Sequence, residues 1–147
     1  GDGRLGLVWF HRVGPAWFRQ GVGPGMKVQK GGKIVKLAPM AGRGLRASSS
    51  VAYCAAKGGI IALTRKLSIE LGEFNINVNA IAPSLTLTER IRPHWNQRSP
   101  EAQSAEMERT TLKRVAEATD QAKVICFLGS GDADFVTGLT IDVTGGL

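Results

Sequence analysis

The apolar positions change period several times along the chain, and each change marks an element. Residues 33–38 (Lys-Ile-Val-Lys-Leu-Ala) form a short apolar run after a double glycine, which predicts a buried strand. Pro39 ends it, because proline cannot donate to a ladder. Residues 76–82 predict a second strand and residues 139–143 a third. The stretch from 50 to 71 predicts one long helix that Gly72 closes. Its early turns, with Ala52, Ala55, Ala56, Gly58 and Gly59, are small enough to let another backbone approach closely. Residues 117–129 predict a further helix, with Ala122, Val124, Ile125 and Leu128 apolar. Residues 12–20 predict a helix with Val13, Ala16, Trp17 and Gln20 on one side. Gly21, Gly23, Pro24 and Gly25 then make its end irregular. Residues 1–10 show no clear period, and residues 40–49 read as a loop rich in Gly, Arg and Ser.

Residues 84–113 form a long polar excursion around Trp95. Within it, Ser99-Pro100-Glu101 predicts a helix start: a cap, a first-turn proline and an acid at the positive end. Excursions of this length often close over sites. Strands alternating with helices predict an α/β fold with a parallel sheet and right-handed crossovers.

The chain of 147 residues can bury a core as one domain, and 43% hydrophobic with 21% charged residues is ordinary for a globular protein. No apolar run is long enough to cross a bilayer, and the start lacks a secretory signal, so the cytoplasm is the expected location. Without an initiator Met at its start, a processed or partial chain is the expectation. Residues 1–69 carry 12 Lys/Arg and one acid, a net of +11, while residues 70–147 carry 7 Lys/Arg and 11 acids, a net of −4. The positive residues are scattered among Gly and apolar positions without a nucleic-acid motif, so a dinucleotide phosphate or a solvated surface accounts for them better than nucleic acid. Cys54 and Cys126 form no C-x-x-C, and His11 and His94 are too few for a zinc site, so no metal is expected.

Tyr53 and Lys57 carry the candidate chemistry. A spacing of four puts both on one helical face, one turn apart. An ammonium beside a phenol favours the phenolate and draws its pKa down toward working pH, which suits proton transfer to a substrate oxygen. Alone, such a pair more often means a packed ring beside a solvated charge.

Other blocks occur in order around it. VGPAWFRQGVGPGM, GGKIVKLAPMAG, AYCAAKGGIIALTRKLSIELG, INVNAIAPSLTLT and FVTGLTIDVTGG together resemble the C-terminal half of the short-chain dehydrogenase/reductase family, over residues 11 to 147. The resemblance implies a single partial Rossmann-type domain over 1–147, holding the last three strands of the parallel sheet with flanking helices. It implies hydride transfer between NAD or NADP and a small carbonyl or alcohol substrate. Tyr53 would be the acid/base, and Lys57 would polarise it and hold the nicotinamide ribose. Pro83, the backbone of Thr86 and the hydroxyl of Thr88 would hold the carboxamide, in the place of the family's Pro-Gly-x-x-x-Thr. The family also implies a homo-oligomer formed through the helix that carries Tyr53.

The sequence departs from the family in four ways. The catalytic serine position holds Pro39, 14 residues before Tyr53, after Ala38. Ser48, Ser49 and Ser50 read as loop and cap instead. The catalytic asparagine position holds His11, and Ser84 replaces the glycine after Pro83, where a positive φ would strain it. The Gly-rich phosphate-binding turn has no counterpart in the sequence, and the family's first four strands are expected to be absent. Gly21, Gly23 and Gly25 follow a helical stretch and precede a strand, the wrong order for that turn. The expectation is an N-terminally truncated chain, impaired or inactive alone, whose first strand has an unpaired edge. The alternative is a non-catalytic pairing module of the same family.

Overall fold

The computed structural model describes residues 22–38 and 50–147. The expected helix at 12–20, His11, Pro39, Ser48 and Ser49 lie outside the described residues.

The first element is helix α1 (Val22–Gln29), where the glycines predicted an irregular chain. Pro24 falls in its first turn, where a missing N–H breaks no helical bond, and Met26 anchors it by near-complete burial. Strand β1 (Gly32–Leu37) follows, then helix α2 (Val51–Leu71) and strand β2 (Ile76–Pro83). The two strands are parallel, with Ile34 opposite Val78 and Leu37 opposite Ile81. The last strand, β5 (Thr140–Val143), pairs with the far side of β2, Ala80 opposite Thr140. The sheet order is therefore β1-β2-β5, and β1 stands at an edge among the described residues.

Alternation along the strands builds two cores. Ile34, Ile76 and Val78 meet Leu67 and Leu71 of α2 and Met26 of α1 on one face. Val35 and Ile81 meet Leu128 and Ala133 on the other, beneath helix α5 (Ala118–Gly129). Lys36 shares the α2 face with Ile34 and is only 6% exposed.

The close of α2 differs from expectation. Gly72 stays right-handed at φ −60 and opens a 3-10 turn, Gly72–Phe74. The left-handed residue is Asn75, at φ 56, whose N–H donates to the Gly72 carbonyl. Asparagine tolerates this region better than most side chains, so the reversal moves three residues on.

Two asparagines of β2, Asn79 buried and Asn77 half-buried, hold the return to β5. Asn79 donates from Nδ2 to the Val136 carbonyl at 2.8 Å and accepts from the Leu139 N–H at 3.1 Å. Asn77 donates to the Asp134 and Val136 carbonyls. Gly138, at φ +77, then passes so close to α2 that an added Cβ would lie 2.6 Å from Ser68 Oγ.

The 84–113 excursion carries more order than a loop. A two-residue strand β3 (Thr86–Leu87) pairs in parallel with β4 (Ala116–Glu117). Between them lie helices α3 (Arg92–Asn96) and α4 (Pro100–Glu108). Ser99 caps α4 by accepting from the Ala102 N–H at 3.2 Å. Trp95 is buried within the excursion.

Helix α5 opens with a capping box between Glu117 and Asp120. Arg114 donates to both Asp120 oxygens, and this pairing with the Glu117 N–H holds the Asp120 pKa down at about 2, from 3.8. A depressed carboxyl stabilises the fold above its unfolded value and loses that contribution as pH falls through its folded one. The Asp120→Asn variant is expected to melt lower than the parent at neutral pH. The two melting curves should converge as pH falls from 3.8 toward 2, by circular dichroism.

Candidate functional site

Helix α2 sets the position of the Tyr53–Lys57 pair. Its lower turns, Leu67 and Leu71, pack beside Ile76 and Val78 at the start of β2. Tyr53 lies 18 residues before Leu71, about 27 Å along the helix at 1.5 Å per residue. Strand β2 rises about 23 Å over its length, so the first turns of α2 stand level with Pro83, at the carboxyl end of the sheet. Ser50 caps the helix: the Tyr53 N–H donates to its Oγ at 3.2 Å. That is the work of a cap, as its place in the sequence implied.

Tyr53 is 44% exposed, while Lys57 is buried at 8% and shares the sheet-facing stripe of α2 with Thr64, Leu67 and Leu71. The Lys57 ammonium stands 5.6 Å from the Tyr53 ring centroid, within reach of cation–π attraction. Tyr53 is thus partly open to solvent while Lys57 beside it is buried.

Pro83, Thr86 and Thr88 follow from the end of β2. Pro83 sits opposite Val143 in the sheet. Ser84 is not among the residues with positive φ, which are Lys30, Asn75 and Lys113 outside glycine, so it sits there without the strain expected. The Thr86 hydroxyl donates to the Ser84 carbonyl at 3.1 Å. The Thr88 N–H donates to the Thr86 carbonyl at 3.0 Å, and the Thr88 carbonyl receives the Ile91 and Arg92 N–H groups. Thr88 is exposed, and its hydroxyl has no partner among the described residues.

Gln121 is a residue that sequence reasoning missed. Its Nε2 donates to Thr86 Oγ1 at 3.3 Å and to the Val143 carbonyl at 3.1 Å, which ties β3 to β5 through α5. Its Oε1 is buried without a partner among the described residues. The signal was present: a polar residue in phase with Val124, Ile125 and Leu128 on the apolar face of α5.

Ala38 is fully buried, and its N–H donates to the Ile81 carbonyl at 2.9 Å. It brings no hydroxyl to the site. Cys54 is half-buried and Cys126 exposed, both as free thiols on helices. Among the described residues no three His, Cys, Asp or Glu side chains gather as a metal site, and no helix is long and apolar enough to cross a membrane.

A parallel three-stranded sheet, a crossover helix with Tyr and Lys four apart and a Pro-x-x-x-x-Thr segment leaving the central strand form a partial Rossmann-type α/β arrangement. A family model described as enoyl-(acyl carrier protein) reductase matches residues 13–147. The chain belongs to the short-chain dehydrogenase/reductase family.

Among curated relatives, it is similar to 3-oxoacyl-[acyl-carrier-protein] reductase of Staphylococcus epidermidis, 35% identical over 87% of this chain and 50% of the relative. It is also similar to 7alpha-hydroxysteroid dehydrogenase of Bacteroides fragilis, 37% identical over 84% of this chain and 46% of the relative. The chain spans about half the length of the curated relatives it matches. Among solved structures, a 3-oxoacyl-[acyl-carrier protein] reductase from Brucella melitensis with bound NAD aligns at TM-score 0.74 and 30% identity, over 96% of this chain and 55% of its own. A putative 2-deoxy-d-gluconate 3-dehydrogenase from Agrobacterium tumefaciens with bound NADP aligns at TM-score 0.74 and 30% identity, over 86% and 51%.

Proposed function

We propose that this chain carries the nicotinamide-side half of a carbonyl-reducing site. The observation that carries the reading is the exposed Tyr53 phenol with the buried Lys57 ammonium beside its ring. Tyr53 gives its proton to the substrate oxygen as that oxygen gains charge. Lys57, fixed against the sheet, stabilises the negative charge left on the phenol oxygen. The pair works in reverse for alcohol oxidation.

Residues for a nicotinamide riboside fit this end of the sheet. Lys57 would hold the ribose, and Pro83, the Thr86 backbone and the exposed Thr88 hydroxyl would hold the carboxamide. Bound NAD(P)H would supply the hydride. The related structures with NAD and with NADP support a dinucleotide of either kind. Nothing among the described residues offers a Gly-rich turn for the pyrophosphate, and Ala38 offers no hydroxyl for the substrate oxygen. The chain by itself is therefore expected to bind the dinucleotide weakly and turn over slowly. The substrate is a small carbonyl or alcohol compound, and the 84–113 excursion is its cover. The test is ketone-dependent oxidation of NADH or NADPH by the purified chain. A slow rate that requires the ketone supports the reading, and a rate equal to that without protein removes it.

One observation favours a second reading, a non-catalytic pairing module. Ala52, Ala55, Ala56 and Gly59 of α2 are exposed, and a Cβ added at Gly59 would meet nothing within 4 Å. The small residues are therefore not spent on a tight contact within the described chain. A second copy seated there would form the homo-oligomer. The Ala55→Arg variant is then expected to sediment as a smaller species than the parent, and equal sedimentation removes this reading.

A further inference from the structure

The 84–113 excursion holds a cleft of about 420 Å³ lined by Leu85, Arg90, Ile91, His94, Trp95 and Arg98. Three cationic or polar residues, Arg90, His94 and Arg98, recur at a spacing of four along the segment that contains α3. His94 lies within α3, and Arg90 and Arg98 flank its two ends. His94 Nδ1 lies 3.2 Å from the Arg90 carbonyl. A carbonyl can only accept, so Nδ1 carries the hydrogen and the ring is fixed against the preceding turn.

The charges on this segment divide into two sets. Arg92 pairs with Glu117, and Arg109 lies 3.7 Å from Glu106. Arg90 and Arg98 have no acidic partner among the described residues, and these are the two that line the cleft. The Arg98 guanidinium lies 5.5 Å from the Trp95 ring centroid, and Trp95 is 9% exposed. The Trp95 carbonyl in turn accepts from Gln103 Nε2 at 2.9 Å, which fastens the indole's backbone to α4. Leu85, Ile91 and Trp95 supply an apolar floor. The cleft therefore combines a fixed aromatic surface with two guanidinium groups that have no acidic partner among the described residues, the donor set that suits planar or tetrahedral oxyanions.

We propose that this cleft recognises an anionic group, carboxylate or phosphate, attached to an apolar body, and that it forms the specificity-determining end of the substrate site. Leu85 lines the cleft and lies between Pro83 and Thr88, so the cleft is continuous in sequence with the segment assigned to the carboxamide. The inference rests on the oxidoreductase reading for its role and on the cleft's own residues for its chemistry. Preferred substrates are then carbonyl compounds that also carry a carboxylate or phosphate. Arg90 and Arg98 would bind that group, and Trp95 would pack on the apolar part.

Calorimetric titration of the intact chain tests this with phenyl phosphate, phenylacetate and neutral 2-phenylethanol as probes. At least one anion is expected to bind about tenfold or more tightly than the alcohol, and the stronger of the two identifies phosphate or carboxylate as the preferred group. Arg90→Gln and Arg98→Gln are each expected to weaken it about tenfold, while Arg90→Lys keeps most of the affinity. Both positions of substitution are exposed, and unchanged far-ultraviolet circular dichroism verifies the fold. Equal binding of the alcohol and both anions, or unchanged binding in both Gln variants, overturns the proposal. Ketone-dependent NADH oxidation, measured in parallel, separates the two readings. Anion binding of this pattern without turnover supports the cleft and removes the oxidoreductase role. Turnover with binding and KM unaltered in both Gln variants removes the cleft alone.

Discussion

Replacing Tyr53 with Phe is expected to lower ketone-dependent NADH or NADPH oxidation by about 10²–10⁴-fold, the range that one positioned acid contributes. The variant deletes one oxygen and keeps the ring. The contact between the Lys57 ammonium and that ring, 5.6 Å from its centroid, can therefore persist. Stability should change little, because the Tyr53 side chain is nearly half exposed and no hydrogen bond of its hydroxyl stabilises the helix cap. The cap uses only the Tyr53 backbone N–H. Loss of rate with an unaltered melting temperature would thus isolate the proton transfer. An unchanged rate would mean that the phenol is not the acid.

The largest effect on stability is expected at Lys36. Its side chain lies on the α2 face of β1, 6% exposed, next in register to Ala80. Burial lowers its pKa from 10.5 to about 8. A lysine depressed in this way is neutral more readily in the folded chain than in the unfolded one. Between about 8 and 10.5 the unfolded state therefore binds more protons, and stability rises with pH across that window. Below it both states are charged, and the fold carries the whole penalty of the buried ammonium. Converted at 1.36 kcal/mol per unit, the fall from 10.5 to about 8 corresponds to about 3.4 kcal/mol, and partial screening by solvent brings the penalty to about 2–3 kcal/mol. Lys36→Met keeps the unbranched stem and removes the charge. It is expected to raise stability at neutral pH by about 2–3 kcal/mol, roughly 5–10 °C in Tm for a domain of this size. The difference between variant and parent should vanish as pH climbs to 10.5, because the parent's amine is then neutral as well. Urea melts of both proteins at several pH values measure it. A variant no more stable than its parent at neutral pH would show that the ammonium reaches water.

The regular elements were legible in the sequence because their signals are local. The runs that became β1, β2 and β5 are apolar between glycines, prolines and asparagines, and the cap and first-turn proline of α4 need only three adjacent residues. What escaped depends on contacts across the fold. α1 forms through glycines because Met26 is buried against Ile34, Leu67 and Leu71, a gain that no propensity scale contains. The reversal after α2 falls at Asn75 rather than Gly72 because the 3-10 turn adds three residues before the strand.

The candidate site was legible to the same degree. Tyr53 and Lys57 were candidates because the blocks around them resemble the family, since their spacing on one helix is by itself a weak signal. Gln121 reaches Thr86 across 35 positions of sequence, and that Arg90 and Arg98 lack an acidic partner among the described residues emerges only once Arg92 and Arg109 have found their acids. Charge counting along the chain does not separate paired from unpaired cations. The asparagines of β2 make the same point: alternation marks a strand, while their grip on residues 134–139 belongs to the tertiary structure.

Transfer of deuterium from reduced dinucleotide labelled at C4 to a ketone, read as labelled alcohol by mass spectrometry, tests the Tyr53–Lys57 assignment most directly, since it detects even slow turnover. The expected result is labelled alcohol from the parent chain and none above background from Tyr53→Phe. Equal label from both proteins, or none from the parent, would contradict it.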